Sequence, residues 1–321
     1  MPKRSYSTRD IERLLHSAFP RFRVTELRRL DGGLRNANLR LRLDSSRDQI
    51  VLRIYQHEAS ICQKEVDLNR LVAGSVSVPE IIHAAPQGLD GFPPFVVMRF
   101  VEGISYRELT HSGNAGAIAQ AARSAGETLA AIGRFTFPKS GWLGPGPSAG
   151  PPLLEGDDPM PRFVDLCLAS RELQARMPEN LRQRTSALMW SAAPELARLG
   201  ESHLVHGDFN KRNLLVRQIA GKWSVAAVLD WEFAISASPL NDVGNFLRYE
   251  RSGVPRAEPH FSAGFVHAGG ALPQDWRRVA RLVDLTALCE SLTHDSVPDS
   301  VAVELVELVR ATVESRDPQL A

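Results

Sequence analysis

Cysteine is scarce in this 321-residue chain: Cys62, Cys167 and Cys289 are odd in number and far apart. Such spacing builds neither a disulfide framework nor a zinc site, and buried reduced thiols in a cytoplasmic protein are the expected use. No apolar stretch approaches the ~20 residues that cross a bilayer. No apolar core follows Met1-Pro2-Lys3-Arg4-Ser5. Neither a membrane span nor a secretory leader is therefore expected. An excess of one charge is missing too. Lys and Arg number 38 against 37 Asp and Glu, a formal net charge of +1 that gives no support for a nucleic-acid or membrane partner. There is no internal repeat, no low-complexity block and no Walker-type phosphate loop. What is present is 43% hydrophobic and 23% charged, the composition of a globular chain long enough for one large domain or two lobes.

Apolar periodicity changes along the chain. Residues 7–17 read as an amphipathic helix capped by Ser7 or Thr8, with Ile11, Leu14 and Leu15 on one side. Val24–Leu30 and Ala37–Leu43 alternate across a glycine-bearing turn, as a β-hairpin does. Gln49–Tyr55 reads as a third strand, 58–73 as a helix, and Pro79–Ile82 and Pro94–Phe100 as two more strands. Gly103 then permits a crossover. Beyond it come a long Ala-rich helix at 115–133, a Pro/Gly-rich loop at 137–161, and helices at 162–175 and 179–199. A loop of that length is uncommon without a role, and it is expected to be mobile. Strands at 214–216 and 223–229 follow, and the rest is mainly helical, with long helices near 273–293 and 298–315.

The chemistry concentrates between the last two strands and the residues before them. His206-Gly207-Asp208 is followed by Asn213, five residues past the aspartate, and by Asp230 at the end of the apolar run 223–229. One carboxylate that can accept a proton from a hydroxyl, plus one Asn and one Asp that can hold Mg²⁺ against a triphosphate, is the equipment of phosphoryl transfer. Bland readings exist for each: a turn-capping Asp, a turn Asn, a strand-end Asp. The joint spacing favours the chemical one. His206 has a side chain suited to acid–base work but reads better as a packed structural histidine.

This segment resembles the catalytic core of the aminoglycoside phosphotransferase / choline kinase family, small-molecule kinases with a protein-kinase-like fold. His206-Gly207-Asp208 stands where protein kinases have His-Arg-Asp, and Asp230-Trp231-Glu232 where they have Asp-Phe-Gly. The resemblance runs from about residue 22 to about residue 290. It implies an α+β, two-lobed protein-kinase-like fold, with a small, mostly antiparallel β N-lobe at 1–102 and a larger helical C-lobe at 103–321. Asp208 would be the catalytic base, with Asn213 and Asp230 as metal ligands. Arg53 would stand at the position of the phosphate-holding strand lysine, paired with Glu65 on the next helix. Arg keeps the charge and can bind phosphate with two N–H groups, but it is bulkier than Lys. Gly32, Gly33 and Asn36 would belong to a turn covering the phosphates. Met98 and Phe100 would lie at the hinge that meets the base, with Val51, Met98, Leu215 and Leu229 as its apolar walls. Asp242 would bind backbone amides of the catalytic loop. The implied cofactors are ATP or GTP and Mg²⁺, and the implied partner is a small molecule bearing a hydroxyl.

The acceptor is left open. Glu232, Glu155, Asp157 and Asp158 suit a cationic acceptor, although 155–158 read more simply as a solvated loop. Arg248 suits an anionic one, or else pairs with Glu250. The competing readings are an antibiotic phosphotransferase, a nucleotide-binding pseudokinase, and an interaction protein using the Pro-rich loop.

Overall fold

Between Asn36 and Tyr55 alternate residues are apolar, and in the computed structural model Asn36↔Tyr55, Asn38↔Arg53 and Arg40↔Val51 face each other in antiparallel register. The structure describes residues 6–315 except 17, 20, 31–35, 45–47, 57–58, 201 and 251–254. Helix α1 (Thr8–Leu15) starts at a capping box in which Ser7 and Asp10 bind each other's backbone amides. Strands β1 (Val24–Arg29), β2 (Asn36–Leu43), β3 (Gln49–Tyr55), β4 (Ile81–Ala85) and β5 (Phe95–Arg99) form an antiparallel sheet in the order β1-β2-β3-β5-β4.

The two faces of that sheet differ because the side-chain period is two. Leu39, Leu41, Ile50, Leu52, Ile54 and Val97 bury one face against α1. The other carries Val51, Arg53, Tyr55, Val96 and Met98. Helix α2 (Ala59–Val72) covers part of it through Cys62 and Val66. Arg53 thus leaves the sheet on the side that α2 occupies.

The chain crosses over through β6 (Ile104–Ser105) and α3 (Tyr106–His111), then forms α4 (Ala115–Ile132) and β7 (Gly141–Trp142). Next come α5 (Pro159–Leu168), α6 (Arg171–Arg176), α7 (Glu179–Ser191) and α8 (Ala193–Leu196). The two long helices expected at 162–175 and 179–199 are each broken once. Ser170 caps a new start by accepting from Leu173 N, and Pro194, in the first turn of a short helix, has no N–H to continue the old one. After β8 (His203–Val205), the hairpin β9 (Leu214–Ile219) and β10 (Lys222–Val228) precedes a 3₁₀ turn (Trp231–Phe233) and β11 (Ile235–Ala237). Helices α9 (Leu240–Leu247), α10 (His260–His267), α11 (Trp276–Leu292) and α12 (Asp299–Val313) complete the helical region.

Two small sheets, β10-β9-β6 and β7-β11-β8, set the frame for the site. The pairing of β8 with β11 lays the residues just after Val205 beside those just before Ile235. Strand β10 is an edge, and α4 blunts it: Trp223 N donates to Gln120 Oε1 (3.0 Å) and Val225 N to Ser124 Oγ (3.0 Å). Helix α4 in turn packs on α10 so closely that a Cβ on Gly126 would meet the Phe261 carbonyl at 2.0 Å. Glycine is required at that crossing. The 137–161 loop is bonded rather than loose. Gly150 N donates to Trp142 O (2.7 Å), and Gly146 N reaches Asp67 Oδ2 on α2 (2.8 Å). All three cysteines are buried and free, and burial pushes their thiols up, to about 12, 11 and 12 for Cys62, Cys167 and Cys289.

Candidate active site

Asp242, wholly buried at the start of α9, organises the loop after β8. Its carboxylate accepts from His206 N (2.6 Å) and Gly207 N (3.0 Å), and from the Phe209 amide. Burial pushes its carboxyl up, against the downward pull of those amides. Gly207 has φ +78°, and a Cβ there would stand 2.2 Å from the Phe233 carbonyl oxygen. The middle residue of His-Gly-Asp therefore has no room for a side chain.

His206 is fully buried, its ring 4.6 Å from that of Trp231. Nε2 donates to Leu229 O (3.0 Å), and Nδ1 accepts from Asp208 N (3.2 Å). Both nitrogens are committed, so the ring supports the loop and has none left to exchange a proton. Burial pushes its pKa down to about 4. An unfolded histidine takes up its proton near 6.5. Acidification from about 6.5 toward 4 therefore favours the unfolded chain through this group. The carbon-bound ring protons of His206 are expected to hold one NMR shift from pH 8 down to about 5. A midpoint near 6.5 would show a different environment.

Asp208 follows with both carboxylate oxygens engaged. Asn210 Nδ2 donates to Oδ1 (2.6 Å) and Asn213 Nδ2 to Oδ2 (2.7 Å), and Asn213 Nδ2 also reaches the Asp208 carbonyl (3.0 Å). Burial raises the Asp208 carboxyl, and these two amides pull it back. Because the Asn213 nitrogen is spent on Asp208, its side-chain oxygen is the donor atom left for a cation. Asn213 and Asp230 are tied through the hairpin, where Leu229 N donates to Asn213 O (2.9 Å).

Asp230 leaves β10 in the left-handed region (φ 70°, ψ 69°). This conformation costs a non-glycine residue about 1–3 kcal/mol, and surrounding contacts must hold it. One Asp230 oxygen accepts from Arg53 Nη2 at 2.5 Å, and the same nitrogen lies 3.1 Å from Glu65 Oε1. Tyr55 donates to the other Glu65 oxygen. Burial pushes the Glu65 carboxyl up to about 7, against Arg53. Arg53 Nε is buried without a partner. Asp230, Glu65 and Glu232 carry oxygens within 4.8 Å of one another. This all-oxygen set fits a hard divalent cation rather than a thiophilic one, and the Asn213 amide oxygen is a donor of the same kind on the neighbouring loop.

Gly32 and Gly33 lie outside the described residues. Asn36 is buried at the start of β2. Val51, Met98, Leu215 and Leu229 are half-buried, as residues bordering a cleft are. The Phe100 amide is already spent on Gln49 O (2.9 Å), and the Arg40 guanidinium covers its ring at 3.9 Å. Phe100 can offer a nucleotide its carbonyl but not its N–H. Glu155 and Asp157 are exposed, and Asp158 precedes α5.

Two ion pairs near Asp208 differ from the sequence expectation. Arg248 pairs with Asp284 of α11 rather than with Glu250, through Nε (2.9 Å) and Nη2 (2.6 Å). Glu250 binds Lys211 instead (2.7 Å). Lys64, which the sequence places beside Glu65 but on another helix face and so not in the role of Arg53, donates to Glu232 O at 2.9 Å.

A two-lobed, kinase-like fold with a His-Gly-Asp loop, an Asn and a strand-end Asp brought together defines a class of enzyme that handles phosphoryl groups. Residues 26–282 match the phosphotransferase enzyme family, and the chain belongs to that family. The expected transfer to an alcohol group stands with that membership. No curated protein matches the sequence. Among solved structures, the GDP and kanamycin complex of APH(2")-IIIa is 19% identical with a TM-score of 0.70, over 94% of this chain and 98% of that one. A thermostable mutant of aminoglycoside phosphotransferase APH(4)-Ia, in complex with AMP-PNP and hygromycin B, is 19% identical (TM-score 0.64; 95% and 99% covered). A provisionally assigned fructosamine-3-kinase from Thermobifida fusca is 16% identical (TM-score 0.61; 96% and 98% covered). At such identities the likeness carries the fold and not the substrate. Among the described residues no helix is long and apolar enough to cross a membrane.

Proposed function

We propose that this phosphotransferase is a magnesium-dependent kinase that moves the γ-phosphoryl group of ATP or GTP to a hydroxyl of a small metabolite. The observation that carries the reading is the pair of links around the loop: Asn213 on Asp208 at 2.7 Å, and Arg53 on Asp230 at 2.5 Å. Asp208 would orient the acceptor hydroxyl and take its proton as the new oxygen–phosphorus bond forms and the bond to the β–γ bridging oxygen breaks. Transfer of this kind is loose and dissociative, so orientation counts for more than basicity. Asn213 and Asp230 would hold Mg²⁺, which when bound supplies charge neutralisation along the triphosphate. Arg53, kept charged by Glu65, would hold the α- and β-phosphates. The nucleotide-binding lobe would end at residue 102 and the acceptor lobe begin at residue 103. Three unpaired thiols and dependence on a nucleoside triphosphate suit the cytoplasm.

The acceptor class divides a metabolite kinase from an antibiotic phosphotransferase. The test is release of ADP or GDP, with product mass, over a panel of aminoglycosides, choline, homoserine, sugars and fructosamines, with and without EDTA. The expected result is one phosphorylated product whose formation EDTA abolishes. Magnesium-dependent nucleotide binding with no turnover on any acceptor would leave a pseudokinase, and absence of that binding would sink both readings and leave an interaction protein.

A further inference from the structure

Lys64 sits one residue before Glu65 on α2, and the two side chains leave the helix about 100° apart. Glu65 turns to Arg53 on β3. Lys64, only 7% exposed, crosses to the turn after β10 and donates to the Glu232 carbonyl oxygen at 2.9 Å. A buried ammonium is tolerated only where it is hydrogen-bonded, so this end point is not incidental. Glu232 lies in the 3₁₀ turn Trp231–Phe233, which Asp230 enters in its left-handed conformation. The turn is pinned on one side by Leu229 N to Asn213 O and by His206 Nε2 to Leu229 O. Lys64 pins the other side, and it does so from the element that also carries Glu65.

We propose that Lys64 is a positioning residue for metal–nucleotide binding, fixing the turn that presents Asp230 and tying the placement of α2 to it. Arg53 and Asp230 then come into register together, because adjacent residues of one helix hold both. The proposal rests on the reading of Asp230 as a metal ligand. A purely packing role for Lys64 would lower stability and leave metal affinity alone.

The test is titration of Mn²⁺ and ADP into the protein, followed by the Mn²⁺ EPR signal, on wild type, Lys64→Met, Lys64→Gln and Lys64→Arg, with thermal midpoints measured alongside. Lys64→Met is expected to weaken Mn²⁺·ADP binding about tenfold or more, the size commanded by a hydrogen bond to a charged group. Lys64→Arg, which keeps a charged donor of similar reach, is expected to stay within about threefold of wild type. In turnover, the magnesium needed for half-maximal rate is expected to rise while the KM of the acceptor stays put. Should Lys64→Met fail to fold, the comparison of Gln with Arg decides. Unchanged Mn²⁺·ADP affinity in a folded Met or Gln variant overturns the proposal, even with a lowered midpoint. Absence of Mn²⁺·ADP binding in the wild type instead overturns the assignment of Asp230 itself, and the proposal with it.

Discussion

Asp208→Asn is expected to lower kcat by about 10²–10⁴-fold, the contribution a positioned general base commonly makes, while nucleotide affinity stays within about threefold. The variant is nearly isosteric, and the local structure says what else it disturbs. Both Asp208 oxygens accept from amide nitrogens, of Asn210 and of Asn213. An asparagine at 208 turns one oxygen into a donor facing a donor. Asn210 cannot rotate to meet it, because its own oxygen already accepts from Arg212 N (2.8 Å) and Asn213 N (3.3 Å). Relief must come from Asn213, so part of the loss is expected in the dependence on magnesium. Single-turnover rates separate that part from the chemical step. A variant keeping a tenth of the wild-type kcat would remove Asp208 from the role of base.

Asp242→Ala is expected to destabilise the fold by about 3–9 kcal/mol, because each buried donor left unmade costs about 1–3 kcal/mol. Three amides lose their acceptor at once, those of His206, Gly207 and Phe209. A loss of that size is a large share of the ~5–15 kcal/mol that keeps a domain folded. Urea denaturation is the measurement, with the midpoint falling steeply and activity lost wherever the loop opens first. Asp242→Asn keeps one acceptor oxygen and should fall between wild type and Ala. A loss under about 1 kcal/mol would mean that the amides find other partners.

Much of the site is local, and the local part was legible. Asp208 and Asn213 share one loop, and the hairpin that follows ties Asp230's neighbour Leu229 to Asn213, so their spacing alone predicts that the three lie together. The period-two pattern of β2 and β3 likewise put Arg53 on one face of a sheet. What could not be read depends on distant partners. Arg248 meets Asp284, 36 residues on, because α11 packs against α9, not because of anything beside it in sequence. Lys64 meets a carbonyl 168 residues away, and a backbone acceptor leaves no side-chain signature. Strands β7, β8 and β11 are two or three residues long, too short to show any period, yet they align the His206–Asn213 loop with the Asp230 turn. The breaks at Ser170 and Pro194 were written in cap chemistry, and apolar periodicity overrode it.

The burial of every native thiol has a practical side. With Cys62, Cys167 and Cys289 shielded and their protons held tightly, the folded enzyme presents no reactive sulfur to a maleimide probe. A cysteine introduced at exposed Ser148 and another at exposed Arg70 would be the only labelled points, without first stripping the background. A dye pair at these sites would report in solution whether the Gly146–Asp67 contact opens as nucleotide enters.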